Sequence, residues 1–136
     1  MTVESHVLSQ WLSPLESASL ECDGFTLVAS MLLEREGVPH QRRLGRVTVE
    51  GVGDIAYHYW IELRDGRLCD FKARMWLGDD PGVPHGVFEN KCARVIYQPA
   101  AAFGPVSLGH GAHAVFSILA GRDLKDYPRL KVFGQP

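Results

Sequence analysis

The first apolar positions of the chain, Val3, Val7, Leu8, Trp11 and Leu12, recur at helical spacing. They predict a short amphipathic helix that Ser13-Pro14 brings to an end, and a polar link runs on to Ser19. From about Cys22 to Glu36, Phe25, Val28, Met31, Leu32 and Leu33 form a broad apolar face, the pattern of a core helix. Gly37 stands where a left-handed C-terminal cap is wanted, and Pro39 blocks continuation. The period then changes. His40–Glu50 reads as a strand, Gly51–Asp54 as a turn and Ile55–Leu63 as a second strand rich in β-branched and aromatic residues. A turn at Asp65-Gly66 leads to a third strand, from Arg67 to about Lys72.

Beyond it, Met75–Asn90 is crowded with glycine, proline and aspartate and reads as a long irregular loop. Cys92–Tyr97 is a fourth strand, Pro99–Gly111 a loop, and Ala112–Ala120 a short helix closed by Gly121. Helices first, strands next and a short helix last predict an α+β domain, its N-terminal helices packed on an antiparallel sheet. The chain has 136 residues, enough for one domain spanning 1–136 with a core of its own.

Composition narrows the function. A net charge of −2 provides no field for nucleic acid or an anionic membrane, and Arg42, Arg43 and Arg46, the only basic cluster, read as solvated strand positions. No apolar run approaches the roughly 20 residues that span a bilayer. The N-terminus carries Glu4 and no basic segment ahead of an apolar core, so a secretory signal is not expected. Cys22, Cys69 and Cys92 are odd in number and lack metal-ligand spacing, which suits reduced thiols in a cytoplasmic protein.

One constellation carries chemistry. Cys22 opens the core helix, where unpaired backbone N–H groups and the positive end of the helix dipole favour a thiolate. His58 and Asp70 lie on the hairpin, and alternation puts His58, Trp60 and Glu62 on one face. The side taken by Asp70 depends on the turn. A two-residue Asp65-Gly66 loop pairs Leu63 with Leu68 and turns Asp70 away from His58. A three-residue loop, Arg64-Asp65-Gly66, puts a left-handed glycine third, pairs Leu63 with Arg67 and Trp60 with Asp70, and brings Asp70 onto the face of His58. A meeting of the three side chains makes Cys22 a nucleophile, His58 its base and Asp70 the group that orients the imidazole. The backbone N–H of Cys22 is a candidate oxyanion donor.

Cys22 with its apolar helix, Glu36-Gly37-Val38-Pro39, His58-Tyr59-Trp60-Ile61-Glu62, Asp65-Gly66 and Asp70 together resemble the transglutaminase-like core. The likeness covers roughly residues 20–72, and Cys22-Asp23-Gly24-Phe25 is also similar to a motif of bacterial cell-wall amidopeptidases of the same superfamily. The resemblance implies a papain-like fold and thiol acyl chemistry at Cys22, His58 and Asp70: a peptidase, amidase or transglutaminase-like enzyme. It would act through a thioester on a peptide, protein, isopeptide or side-chain amide, with no cofactor and no metal. The chain departs from papain-like peptidases upstream of the cysteine, where position 16 is Glu16 rather than an oxyanion-hole glutamine; Gln10 and Trp11 are possible substitutes.

Other uses stand beside these. Cys69 and Cys92 read as core residues, Trp60 as packing beside His58, and Glu62 as a solvated or salt-bridged strand residue. Asp70 has a local alternative, capping Phe71-Lys72 or pairing with Arg74. His110 and His113, joined by His85, offer a metal-dependent alternative, although loop or cap roles explain these histidines better. The rival from another class is a non-catalytic peptide- or protein-binding module on the same fold.

Overall fold

The computed structural model describes residues 3–18, 20–105, 114, 116–118 and 120–133. Helix α1 spans Ser5–Leu12 and passes directly into a 3-10 turn at Ser13–Leu15 with Pro14 in its first positions. Helix α2 spans Cys22–Arg35 and ends where Gly37 takes a φ of 73°. Five strands follow: β1 (His40–Val49), β2 (Gly53–Leu63), β3 (Leu68–Asp70), β4 (Gly86–Phe88) and β5 (Val95–Phe103), with the one-turn helix α3 (Ala73–Trp76) between β3 and β4. They form one antiparallel sheet in the order β4-β3-β2-β1-β5. The chain is therefore an α+β domain.

Each face of the sheet has its own core. Ile61, Leu63, Cys69 and Val87 point to the side covered by Leu8, Trp11 and Leu12 of α1 and by Phe25, Val28 and Leu32 of α2. The C-terminal segment closes the same core with Leu124, Tyr127 and Leu130. It is tied to α1, because the Trp11 indole donates to the Pro128 carbonyl over 2.8 Å and the Tyr127 hydroxyl donates to the Trp11 carbonyl. On the opposite face Val47, Val49, Trp60, Leu68, Val95 and Tyr97 are covered by Ala73 and Val83. Phe88 and Tyr97 belong to opposite edge strands, yet their rings lie 5.9 Å apart, so the sheet coils around this second core.

The hairpin takes the three-residue form. Glu62 pairs with Leu68 and Ile61 with Cys69, the Leu63 N–H donates to the Arg67 carbonyl over 2.8 Å, and Gly66 has a φ of 94°. Continuing that register sets Trp60 opposite Asp70 and puts Asp70 on the face of His58.

Three expectations need correction. A short strand, β4, sits inside the expected loop Met75–Asn90; with three residues it shows no alternation, and it is held by pairing to β3 and by the Ser9 hydroxyl on the Val87 N–H at 2.8 Å. The strand expected at Cys92–Tyr97 begins at Val95 and runs through Pro99 to Phe103. Proline is tolerated there because β5 is an edge strand whose register slips opposite Gly45. Cys92 consequently lies in the preceding turn and is exposed, not core. The expected helix at Ala112–Ala120 is helical at residues 114, 116–118 and 120; the rest of it, with His110 and His113, lies outside the described residues.

Candidate active site

The site begins at the first turn of α2. Glu21, extended at φ −76° and ψ 176°, precedes the helix, and its carbonyl accepts the Phe25 N–H at 2.8 Å. The N–H groups of Cys22 and Asp23 precede that first intrahelical bond, as the opening donors of any helix do. The Cys22 side chain is half-buried.

His58 is aimed by an irregularity in β2. It pairs with Gly45, whereas Ile55 pairs with Val47, leaving Ala56 and Tyr57 opposite Arg46 alone. Such a bulge re-aims neighbouring side chains. Here it returns Ile55 to the face of His58 and lifts Tyr57 out to 84% exposure. The His58 ring is fully buried and stacks on Trp60, with centroids 6.4 Å apart and planes 24° apart. Trp60 is thus the packing residue that its place beside His58 suggested.

Asp70 anchors the imidazole from β3. Its Oδ2 accepts His58 Nε2 at 2.7 Å and the Tyr97 hydroxyl at 2.8 Å. Its Oδ1 accepts the N–H groups of Lys72 at 2.9 Å and Ala73 at 3.0 Å. The carboxylate therefore caps the turn into α3 and holds the histidine at once. Arg74 is not its partner, since the guanidinium donates to the Val83 carbonyl at 2.9 Å. A carboxylate only accepts, so Nε2 carries the proton in this pair. In the neutral ring the lone pair is on Nδ1, which is buried and has no well-formed hydrogen bond among the described residues.

Burial works against the charged imidazolium. The hydrogen bond that the ring donates to Asp70, the Cys22 sulfur beside the ring and the charges of both outweigh it, and the His58 pKa rises to about 9. The Tyr97 phenol is pushed up by burial and by the Asp70 charge, which keeps it a donor. Cys69, buried on the opposite face, is pushed up by burial and then by Asp70, and stays a thiol.

Cys22 opens on a depression of about 410 Å³ that Glu21, Asp23, Tyr57 and Trp76 also line, with the buried His58 beneath it. Trp76 comes from the segment Met75–Asn90 expected as a long loop; farther along it, Val83 is buried in the second core. Gln10 and Trp11 do not line the depression, and the Trp11 indole is committed to Pro128, so neither is the oxyanion donor. His85 binds Glu16 at 2.7 Å, and among the described residues no three His, Cys, Asp or Glu side chains are grouped to hold a metal ion.

In comparison with known proteins, no family model matches the chain, and no curated protein or solved structure matches it at a significant level. The residues themselves carry the functional argument.

Tyr97 is the partner that sequence reasoning missed. It lies 27 positions from Asp70, on a strand at the far edge of the sheet, and reaches the carboxylate only because the sheet coils. No spacing rule along the chain contains that closure. Glu62 takes the salt-bridged of its two expected roles, pairing with Arg43 at 2.7 Å; the arginines expected as solvated are engaged across the sheet, Arg46 with Asp54 and Arg42 5.3 Å above the Phe103 ring.

Proposed function

We propose that the protein is a cysteine-dependent amide hydrolase or acyltransferase of transglutaminase-like, papain-like architecture. The observation that carries this reading is the state of His58. Asp70 holds one ring nitrogen, and the other is left free under a depression shared with Cys22. That arrangement suits a ring that takes up the thiol proton and holds it as the imidazolium, the form the raised His58 pKa favours.

In the proposed reaction the Cys22 proton passes to His58 Nδ1, and the sulfur attacks the carbonyl carbon of a peptide, isopeptide or side-chain amide. The N–H groups of Cys22 and Asp23 stabilise the developing oxyanion. His58 returns its proton to the departing amine as the C–N bond breaks and a thioester forms. Water or a second amine then attacks the thioester, gives its proton to His58, and releases the acid or new amide together with the Cys22 thiol. Asp70 keeps the imidazole in the Nε2–H form throughout and balances its charge.

One observation favours a second reading, a non-catalytic peptide-binding module on the same fold. The Cys22 sulfur lies beside the His58 ring, but Nδ1 has no well-formed hydrogen bond among the described residues. Competitive alkylation decides between the two. Cys92 is exposed and serves as an ordinary reference thiol in the same chain, while Cys69 is buried. The catalytic reading requires iodoacetamide to modify Cys22 at least about tenfold faster than Cys92 at neutral pH. Equal rates support the binding module.

A further inference from the structure

We infer that the depression beside Cys22 takes a cationic group of the substrate, an ammonium or guanidinium carried next to the reacting carbonyl; this rests on the acyl-transfer reading above. Two aromatic side chains border the thiol with much of their surface in solvent, Tyr57 at 84% and Trp76 at 54% exposure. An aromatic face attracts a cation, and a guanidinium or quaternary ammonium most of all. Two carboxylates, Glu21 and Asp23, flank the same thiol, and among the described residues neither forms an ion pair.

Among the described residues no lysine or arginine lines the depression, and its one cationic group, the His58 imidazolium, is sealed from solvent and paired with Asp70. Arg46, opposite the β2 bulge, is engaged by Asp54, and Lys72 is turned to the Glu16 carbonyl at 3.3 Å. Beneath lies the fully buried ring of His58, whose charge is balanced by Asp70 rather than presented to the depression. An anionic side chain meets Glu21 and Asp23 at the rim, and a neutral one gains nothing from them. A cation gains a few-fold from the aromatic faces and a few-fold from the carboxylates, about tenfold together.

The test uses reagents that bring charge to the sulfur without needing catalysis. In a Cys92→Ser background, Cys22 is modified with the trimethylammonioethyl and the sulfonatoethyl methanethiosulfonates, and the cationic-to-anionic rate ratio is compared with that of N-acetylcysteinamide. We expect the ratio at Cys22 to exceed the free thiol's about tenfold, and to fall several-fold in Glu21→Gln/Asp23→Asn and in Trp76→Ala. A ratio equal to the free thiol's, or one unchanged in both variants, overturns the inference. The two carboxylates are exposed, so their double variant decides the matter should Trp76→Ala fail to fold. Neutral iodoacetamide reads thiol activation separately. Fast alkylation with a flat charge ratio refutes the cation site alone. Slow alkylation with a high ratio refutes the catalytic reading and leaves a cation-binding depression.

Discussion

His58 Nε2 donates to Asp70 Oδ2 over 2.7 Å, and the contact is sealed from solvent, both side chains being at most 1% exposed. It depends on two backbone irregularities. The bulge at Ala56–Tyr57 aims the histidine, and the left-handed Gly66 sets the register that brings Asp70 to its face. A buried carboxylate with four donors is rigid as well as charged, and so it specifies one tautomer of its histidine.

Asp70→Asn removes that specification. The two backbone N–H groups at Lys72 and Ala73 hold the amide oxygen, which turns the amide nitrogen, a donor, toward His58 Nε2. The favoured tautomer then carries its proton on Nδ1 and has no lone pair for Cys22. We expect Cys22-dependent acyl transfer to fall at least ~100-fold, measured with an activated ester. An unchanged rate removes Asp70 from the site.

The same pair makes stability depend on pH. The folded pKa of His58, about 9, lies above its ordinary 6.5. Its stabilisation is therefore complete below about pH 6.5 and disappears as pH rises through 9. A tenfold change in proton affinity corresponds to about 1.4 kcal/mol, so the advantage of wild type over His58→Gln narrows by about 3 kcal/mol between pH 6 and 10. Urea unfolding of both proteins across that range checks it; a constant difference contradicts it.

Tyr97→Phe deletes one donor from a buried carboxylate and leaves the ring packed edge-on against Trp60, whose centroid is 5.0 Å away. We expect a loss of about 1–3 kcal/mol in stability and slower acyl transfer with little change in KM. A variant as stable and as active as wild type shows that Asp70 does not need the phenol.

Gly66→Ala separates backbone from packing. A Cβ at Gly66 meets nothing within 4 Å, yet φ there is +94°. The strain costs about 1–2 kcal/mol. By loosening the register it slows Cys22 alkylation more than Gly37→Ala, which carries similar strain at a helix end away from the site. Equal effects of the two glycines on alkylation break the link between turn and site.

The parts of this architecture legible along the chain are those set by neighbours. The start of α2 at Cys22, the Gly37 cap, the alternation through His58 and Trp60 and the left-handed glycine of the hairpin all follow from local periodicity and turn chemistry. Closure of the sheet does not. The three-residue β4 is too short to alternate, and Pro99 disguises the continuation of β5. Gly45 looks unremarkable in sequence, but a Cβ there would fall 2.1 Å from the Gln98 carbonyl oxygen. It allows β5 to approach, and β5 carries Tyr97 back to Asp70. That step joins the two ends of the sheet, which no short window contains.

Trapping the acyl-enzyme tests the central claim most directly. Wild type, Cys22→Ala and His58→Ala are mixed with p-nitrophenyl acetate at pH 7, quenched in acid within seconds and mapped by mass spectrometry. We predict an acetyl thioester on Cys22 in wild type at a rate well above that of Cys92, strongly reduced in His58→Ala and absent at position 22 in Cys22→Ala. Acetylation of Cys22 no faster than Cys92, or undiminished without the imidazole, contradicts a Cys22–His58–Asp70 acyl-transfer site.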